Sequence, residues 1–465
     1  VGAGAGGGGG VGGVGGAGEG GGRGGGWGGG EHAKCPKLRF VHLLNHKMSF
    51  IHEKILSHID KLATDLTEAT QCLVRVPSEN PPGDTAAVAD TVVKLIQSHV
   101  PSAAIKTYNP GPGIHNVVAI VKGSKPGKRL VFSGHLDTYP AGDGALWTVP
   151  PFDGKISEDG LRLYGRGVSD MKGGIAASII ASRVLAQLSN EWPGEIVLAF
   201  AGDEETMGSL GSEYLLDHTE YAQCDAMICG DAGSPLVVRA GEKGFIWVEL
   251  RSTGKAAHGA HVHRGDNAID KLVRALLALK QLESLKIDDG PISEVINGAK
   301  SVSEVFGGKG EAEILRKLTV NIGKINGGTS TNLVPDEASA SADIRIPIGL
   351  SVGFVADELQ RRLTGLAEIR IVRTSEPSWT APQESIVRHT LNATQSIVGN
   401  HAVVNMRVGS SDSRLFRKRN IPSVVTGLTP YNMGGPDEYV LIKELAQVSK
   451  IHALAAFGFL LEDGI

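Results

Sequence analysis

The sequence predicts an α/β fold in which a smaller block is inserted into a larger domain of alternating helices and strands. Some segments place apolar residues at three- and four-residue steps, which is the helix period, whereas others are short and rich in β-branched residues. Because the two kinds of segment alternate along most of the chain, we expect helices covering a largely parallel sheet. Between about residues 241 and 347 the alternation stops and two strand-like runs enclose helical stretches, which indicates the inserted block.

The individual elements follow from the same two periods. The helical spacing predicts helices over residues 51–76, 86–99, 171–188, 267–285 and 386–398. Runs of β-branched and apolar residues predict strands over residues 116–122, 129–133, 195–201, 245–253, 339–346 and 423–427. The largely apolar run at 195–201 is typical of a strand that is buried on both faces.

Composition and charge exclude several classes of protein. The 465 residues carry 46 Lys and Arg against 50 Asp and Glu, so the chain lacks the cationic excess of a nucleic-acid-coating surface. No stretch reaches the roughly 18 consecutive apolar residues of a membrane span. Four cysteines are too few for a disulfide framework, so we expect a reducing, cytoplasmic location. Residues 1–30 are mostly glycine, and we expect a disordered tail over residues 1–47.

Four short segments place carboxylates and a histidine in loops that mostly follow predicted strands, where open α/β sheets bind ligands. Taken alone, each segment has a plain structural interpretation as a hydrogen-bonded histidine, a helix cap or a solvated carboxylate. Their recurrence favours one common site. The segments are Gly134-His135-Leu136-Asp137, Gly167-Val168-Ser169-Asp170-Met171-Lys172-Gly173-Gly174, Gly202-Asp203-Glu204-Glu205 and Gly230-Asp231.

The residue types in these segments indicate a metal. The strand period of two places His135 and Asp137 on one face, so the carboxylate can accept a hydrogen bond from one ring nitrogen while the other binds a cation. Asp170 precedes a Gly-Gly helix start and is either a helix cap or a ligand. Glu204 and Glu205 repel each other at a buried strand end unless a cation lies nearby or one of them is protonated. With a metal bound, one carboxylate can ligate while its neighbour takes a proton from water.

In their order and spacing, these residues resemble the M20 family of metallopeptidases and amidohydrolases, which includes acetylornithine deacetylase, succinyl-diaminopimelate desuccinylase, aminoacylase and carboxypeptidase G. The similarity extends from about residue 48 to residue 465. It implies a zinc-peptidase-like mixed sheet flanked by helices, with an inserted α+β lid and dimerisation domain. The implied division is a catalytic domain over residues 48–240 and 351–465 with a lid over residues 241–350. The motifs are Ser133-Gly134-His135-Leu136-Asp137-Thr138, Gly165-Arg166-Gly167-Val168-Ser169-Asp170-Met171-Lys172-Gly173-Gly174 and Asp203-Glu204-Glu205.

The resemblance also implies roles for the residues of these motifs. One or two zinc ions (Zn²⁺) are expected per subunit, with cobalt as a possible substitute. Asp170 would bridge two ions, Asp137 would orient His135, and Glu204 would be the general base that takes a proton from water. The implied metal ligands are His135, Asp170, Glu205 and Asp231.

Three further residues on the lid are implied to contact the substrate. His258, in Gly254-Lys255-Ala256-Ala257-His258-Gly259-Ala260, would stabilise the tetrahedral oxyanion from the partner subunit; the alternative is a surface histidine. Asn332 and Arg345 match substrate-contacting positions, and the planar guanidinium of Arg345 suits a substrate carboxylate. The alternative for Arg345 is an exposed strand residue paired with Asp343. A loop over residues 410–414 is a weaker match to a substrate loop.

One departure from the family pattern concerns a metal ligand. The family has a histidine two residues before Pro-Asp-Glu, and here Gly434 stands at that place before Pro436-Asp437-Glu438. Three explanations are open: Asp437, Glu438 or Asn432 substitutes; the enzyme uses one firmly bound metal; or catalysis has been lost. Because Glu204 and Glu205 remain, reduced or altered metal loading is favoured over a dead site.

The sequence therefore predicts a zinc-dependent hydrolase that cleaves the amide bond of an N-acyl amino acid or small peptide. An acetylornithine-deacetylase-like or desuccinylase-like enzyme is favoured, with a carboxylate-bearing substrate and a homodimer formed through the lid. The alternatives are a dipeptidase or carboxypeptidase of the same family and a non-catalytic binding protein on the same scaffold. Neither a nucleic-acid nor a membrane partner is expected.

Overall fold

The computed structural model describes residues 36–288 and 290–462, with side chains from residue 46 onward except at residue 222. The disorder expected over residues 1–30 lies outside these residues. The first helix already begins at Pro36, so the expected tail over residues 1–47 is wrong from Pro36 onward. Proline is favoured at the first helical position, and Leu38, Val41 and Leu44 continue the three-residue spacing of a helix. None of the described helices is long and apolar enough to cross a membrane.

Helices and strands alternate along most of the described chain. The helices are α1 Pro36–Lys61, α2 Ala63–Val74, α3 Ala86–His99, α4 Gly173–Gln187, α5 Ser212–His218, α6 Ala268–Lys280, α7 Ile292–Gly307, α8 Glu311–Leu315, α9 Val352–Leu363, α10 Ser385–Val398, α11 Ser413–Arg417 and α12 Ile442–Leu461. The strands are β1 Ala104–Gly111, β2 Ile114–Lys122, β3 Arg129–His135, β4 Arg162–Tyr164, β5 Glu195–Ala201, β6 Ala226–Cys229, β7 Val237–Glu242, β8 Gly244–Thr253, β9 Ala257–His258, β10 Thr319–Gly327, β11 Leu333–Val334, β12 Glu337–Ile346, β13 Glu368–Ser375, β14 Ser378–Trp379, β15 Val403–Arg407, β16 Ser423–Val425 and β17 Tyr439–Leu441.

The larger layer is a mixed sheet with helices packed on it. Its strand order is β1-β2-β5-β3-β6-β16-β7-β14, and β15 pairs with β7. The central strands β5, β3, β6 and β16 run parallel, whereas β1 and β2 join the sheet in antiparallel pairs. The α/β fold with a mixed sheet is confirmed, but the sheet is less parallel than the helix–strand alternation suggested. The difference arises because β1 and β2 are connected by a tight turn at Gly113, where φ is +74°, and not by a helix.

The central strands are buried on both faces. β3 and β5 are buried over all residues after the first, and β6 is buried throughout. Helix α4 has buried residues around most of its surface, since it packs between the sheet, α2 and α12. Because β3, β5 and β6 are adjacent and parallel, their carboxyl ends meet at one side of the sheet. We call this side the carboxyl edge.

The smaller layer is an antiparallel sheet in the order β10-β12-β8-β13, covered by α6 and α9. Strand β13 pairs with β8 through Ile369 and Leu250, and α9 adds Val355, Leu359 and Leu363 to the same core. The expected lid boundary at residue 350 is therefore too early, because α9 and β13 belong to this layer. Conversely, α7 and α8 pack against β15 of the larger layer.

Candidate active site

Three strands deliver the predicted site residues to the carboxyl edge. His135 is the last residue of β3, Glu204 and Glu205 follow β5, and Asp231 follows β6. Asp170 lies in an irregular turn, Val168–Lys172, where its own backbone angles are non-helical (φ −129°, ψ 87°), and the turn leads into α4. The loops after three neighbouring parallel strands and the start of one helix thus converge, as the strand-end positions of these residues predicted.

His135, Asp170 and Glu205 form a group that could hold a metal ion. Each offers one ligand atom, and these atoms lie within 4.8 Å of one another. The His135 Nε2 atom is 2.9 Å from Asp170 Oδ1. The Glu205 Oε1 atom is buried and finds no hydrogen-bond partner among the described residues. A buried oxygen without a partner beside an imidazole and a second carboxylate fits a divalent cation that accepts nitrogen and oxygen ligands.

Asp137 holds the site together in a way that differs from the prediction. The carbonyl oxygen of Asp137 is in close contact with His135 Nδ1, at 2.9 Å. The Oδ1 atom of the Asp137 side chain lies 3.5 Å from the same nitrogen. The carboxylate instead accepts hydrogen bonds from the backbone N–H groups of Glu204 (3.1 Å) and Glu205 (3.0 Å) and from the side-chain amide of Asn80 (2.9 Å). Asp137 therefore positions the Glu204-Glu205 segment, and its backbone orients the imidazole.

The carboxylates of the site are too close and too buried to be ionised together without a cation. Burial and the adjacent Asp231 carboxylate raise the pKa of Asp170 to about 6. Burial and the neighbouring Asp170 raise the pKa of Glu205 to about 10. Burial likewise raises the pKa of Glu204 well above its usual range. This is the electrostatic tension that the adjacent glutamates predicted.

Glu204 faces the loop over residues 410–414. Its side chain is 12% exposed, and its Oε1 atom is 3.9 Å from Arg414 Nη1. Arg414 is fixed by donating to the carbonyl oxygens of Ser411 (2.8 Å) and Met207 (2.7 Å). The loop that was the weaker sequence match thus lies directly beside the predicted general base.

A cavity of about 570 Å³ opens between this loop and the smaller layer. Phe245 and Arg373 line it from the smaller layer, and Met207, Arg414 and Lys418 line it from the larger one. Arg373 also donates a hydrogen bond of 2.8 Å to the carbonyl oxygen of Thr206, next to Glu205. The cavity therefore adjoins the Glu204 side of the site and carries several cationic side chains.

Asp231 is paired with an arginine. Its Oδ2 atom accepts a hydrogen bond of 2.7 Å from Nη1 of Arg407, the last residue of β15. Its Oδ1 atom accepts from the backbone N–H of Ala232. Asp231 is close enough to Asp170 to affect its pKa, but the group within 4.8 Å consists of His135, Asp170 and Glu205.

The segment around Gly434 directs its polar groups elsewhere. Glu438 accepts from Arg166 (2.6 Å) and from the backbone N–H (3.0 Å) and hydroxyl (2.8 Å) of Ser169. Asp437 Oδ1 accepts from the backbone N–H of Thr148 at 2.8 Å. Glu438 therefore supports the turn that carries Asp170.

The third donor considered as a substitute ligand, Asn432, is also engaged. Its side-chain amide donates to the Asp437 carbonyl oxygen at 3.2 Å. Asn432, Asp437 and Glu438 thus all have partners within this segment or at Arg166, Ser169 and Thr148. None of the three belongs to the metal-binding group found among the described residues.

The predicted lid residues make their described contacts within the smaller layer and its β9–β11 ribbon. His258 is exposed, and its Nδ1 atom accepts from the Ala260 backbone N–H. Asn332 is exposed, and its Oδ1 atom accepts from the Ser330 hydroxyl at 2.6 Å. Arg345 donates to Asp343 at 2.9 Å, as in the alternative interpretation. The structure thus brings His135, Asp170 and Glu205 together, with Asp231 close to Asp170, but does not bring these three lid residues to them.

Comparison with known proteins decides the family. The family described as peptidase family M20/M25/M40 matches residues 131–457. The chain belongs to this family. As an M20 protein it is a hydrolase of a metal-dependent family, and the predicted resemblance is confirmed.

Curated M20 relatives and solved M20 structures resemble most of the chain. A succinyl-diaminopimelate desuccinylase of Methylorubrum extorquens (strain PA1) is 27% identical over 398 residues, which cover 82% of this chain and 95% of that relative. A succinyl-diaminopimelate desuccinylase of Granulibacter bethesdensis is 30% identical over 410 residues, which cover 84% of this chain and 96% of that relative. The structure of an M20 metallo-carboxypeptidase from Sulfolobus solfataricus has a TM-score of 0.69 at 21% identity, and the match covers 85% of this chain and 98% of that one. The structure of a dinuclear metal-binding M20 peptidase from Bacillus subtilis has a TM-score of 0.62 at 14% identity, and the match covers 87% of this chain and 100% of that one.

Sequence reasoning missed several residues that this M20 site uses. Nothing in the sequence pairs Asn80 with Asp137, because their hydrogen bond crosses 57 residues of chain. Arg373 lies in a strand that was not predicted. Arg407 could have been noticed as a charged residue at the end of a strand in the larger sheet, but nothing in the sequence pairs it with Asp231.

Proposed function

We propose that this M20 chain is a metal-dependent amidohydrolase that cleaves an N-acyl amino acid of the succinyl- or acetyl-diamino acid type. The observation that carries the proposal is the convergence of His135, Asp170 and Glu205 within 4.8 Å beside the buried Glu204. The curated relatives named succinyl-diaminopimelate desuccinylase support the substrate class.

The residues suit zinc as the bound metal. One imidazole nitrogen and two carboxylate oxygens are a common zinc ligand set of a catalytic site, in which a further position stays open. Zinc bound there acts as a Lewis acid toward the substrate carbonyl and makes water more acidic. The hydrogen bond between His135 Nδ1 and the Asp137 carbonyl oxygen holds the ring so that Nε2 faces the ligand group.

Glu204 performs the proton transfers in this proposal. It takes a proton from the attacking water and delivers it to the leaving amine, which releases an amine and a carboxylate. The hydrogen bonds from the Glu204 and Glu205 backbone N–H groups to Asp137 keep Glu204 next to the metal group. Arg414, 3.9 Å away, supplies positive charge that favours the ionised carboxylate.

The substrate binds, in this proposal, in the cavity between the smaller layer and the Arg414 loop. Four cationic side chains along the cavity outnumber its two carboxylates, which suits a substrate that carries carboxylates; the cations are Arg373, Arg414, Arg417 and Lys418, and the carboxylates are Glu213 and Glu376. A dipeptidase or carboxypeptidase would use the same groups and also take a carboxylate-bearing substrate. A substrate panel therefore has to separate these activities.

The test removes the metal and restores it. Chelator-treated protein should not hydrolyse N-succinyl diamino acids, N-acetyl diamino acids or dipeptides, and zinc or cobalt should restore hydrolysis of one class. Glu204→Gln should lower turnover by about 10²–10⁴-fold while retaining bound metal, because a general base is removed but no ligand is. Glu158→Gln, at an exposed glutamate, serves as the matched control.

Two results would contradict the proposal. Full turnover in Glu204→Gln would remove the assigned base, and absence of hydrolysis across the panel by metal-loaded protein would favour the non-catalytic binder. The cytoplasmic location and the homodimer through the smaller layer stay predictions from the sequence. Sedimentation of the purified chain checks the homodimer.

A further inference from the structure

Arg407 occupies the Asp231 end of the site. Its side chain is 17% exposed, and it reaches from the end of β15 to Asp231 with a distance of 2.7 Å between Nη1 and Oδ2. An arginine side chain stays protonated in proteins. The guanidinium is therefore a permanent cation among the carboxylates of the site.

Both oxygens of Asp231 are already engaged. Oδ2 accepts the charge-assisted bond from Arg407, and Oδ1 accepts from the Ala232 backbone N–H. A divalent cation bound to Asp231 would have to share this carboxylate with both donors. It would also lie within a few ångströms of the guanidinium, where like charges in a buried setting repel strongly.

The segment around Gly434 also offers no free ligand for a second metal among the described residues. Gly434 offers no side chain, and its carbonyl oxygen accepts from Arg166 Nη2 at 3.2 Å. The neighbouring donors Asp437 and Glu438 are held by Thr148, Arg166 and Ser169. The described residues thus supply one compact set of three ligand atoms, on His135, Asp170 and Glu205.

We propose that Arg407 supplies a fixed positive charge in place of a second metal, so that this site binds one divalent cation through His135, Asp170 and Glu205. The Bacillus subtilis M20 relative is, by contrast, described as dinuclear. This inference rests on the proposed metal-dependent function. Arg407 is a positioning residue here, because it acts through Asp231, whose Oδ2 atom it holds by a hydrogen bond of 2.7 Å.

The stoichiometry of bound metal tests the inference independently of activity. Chelator-treated protein is titrated with zinc by calorimetry, and its metal content after gel filtration is measured by elemental analysis. The wild-type chain should bind one equivalent. Arg407→Gln should bind a second, weaker equivalent, because Asp231 becomes available and the repulsion is gone.

Two further variants control for structural effects. Arg407→Lys keeps the charge and should stay at one equivalent, even where Arg407→Gln does not fold. Arg251→Gln removes an exposed arginine that is paired with Glu337 on the smaller layer, and it should also stay at one equivalent.

The outcomes separate this inference from the proposed function. Two equivalents in the wild-type chain would overturn the inference and leave a metal-dependent hydrolase intact. One equivalent in a folded Arg407→Gln variant would overturn the role of Arg407. No bound metal in the wild-type chain would overturn the proposed function itself.

Discussion

The carboxyl edge of the larger layer and the exposed residues of the smaller layer differ in how firmly their predicted site residues are held. On the edge, His135 and Asp137 are at most 2% exposed, and hydrogen bonds fix Asp137 to the Glu204-Glu205 segment. In the β9–β11 region, His258 and Asn332 are exposed and make only local hydrogen bonds. The difference indicates that the metal chemistry is preorganised within one chain. If His258, Asn332 and Arg345 contact the substrate, as the sequence predicts, then a movement, the substrate or a second protomer has to bring them to the edge.

Outside the metal site and its general base, the largest effect on turnover is expected at His258. If His258 reaches the oxyanion in the working enzyme, His258→Ala should lower kcat by about 10²–10³-fold, which is the usual effect of removing one such donor. The metal content should not change, since His258 lies outside the metal group. Steady-state kinetics and elemental analysis measure both. His263→Ala, at an exposed histidine of the same segment, is the control, and an equal loss there would argue against a specific role of His258.

A loss of metal affinity is expected at Asp137. Asp137→Asn removes the negative charge of the carboxylate that accepts hydrogen bonds from the Glu204 and Glu205 N–H groups and from Asn80. The two glutamates are then held less firmly. Metal affinity should fall by about 10–100-fold, as is usual for groups that orient ligands. A competition titration with a chromogenic chelator measures it. Asp90→Asn, at an exposed aspartate of α3, should leave the affinity unchanged; an unchanged affinity in Asp137→Asn would contradict its orienting role.

A smaller effect, confined to KM, is expected at Arg345. If Arg345 leaves Asp343 to bind a substrate carboxylate, Arg345→Met should raise KM by about tenfold or more with little change in kcat, because one charged hydrogen bond is lost. Kinetics on the best substrate of the panel checks this. Arg251→Met, which breaks an exposed ion pair on the same layer, is the control. An unchanged KM would leave Arg345 as a structural partner of Asp343.

The smallest effect on activity is expected at His452, which is buried behind the site in the larger layer. Its Nε2 atom donates to the Thr426 carbonyl oxygen at 2.8 Å, and burial lowers its pKa to about 4. The folded ring therefore stays neutral while the unfolded chain takes up a proton below about pH 6.5. The neutral His452 ring therefore contributes fully to stability above pH 6.5. As the pH falls from 6.5 towards 4, this contribution is lost, and the free energy of unfolding decreases by up to about 3 kcal/mol.

His452→Gln should remove this part of the acid sensitivity and leave hydrolysis near neutral pH unchanged. Denaturant unfolding of both proteins between pH 4 and 7 measures the difference in the free energy of unfolding. A variant that loses stability over this range as steeply as the wild-type chain would contradict the assignment.

Local patterns in the sequence located most of the elements that carry the site. Helix α3 and strand β5 have the predicted bounds, since their apolar residues follow the helix period or form one buried run. The strand-end positions of His135, Glu204 and Asp231 placed them together because parallel neighbours end at the same side of a sheet. Strands β1, β10 and β13 were not predicted. Much of β10 and β13 is exposed, and the alternation of apolar residues in them covers only a few positions, such as Val320 and Ile322 in β10 and Ile369 and Ile371 in β13.

By itself, the sequence determined the family and the α/β class, because period, strand ends and motif order are properties of short stretches of chain. It also predicted His135, Asp170 and Glu205 as metal ligands together with Asp231, which lies outside the compact group. Tertiary structure decided which partners these residues have. The pairing of Arg407 with Asp231 crosses 176 residues, and that of Arg166 with Glu438 crosses 272. The extension of the smaller layer to β13 likewise depends on pairing with β8. Such contacts follow from how buried strands and helices pack against one another, and no local pattern encodes them.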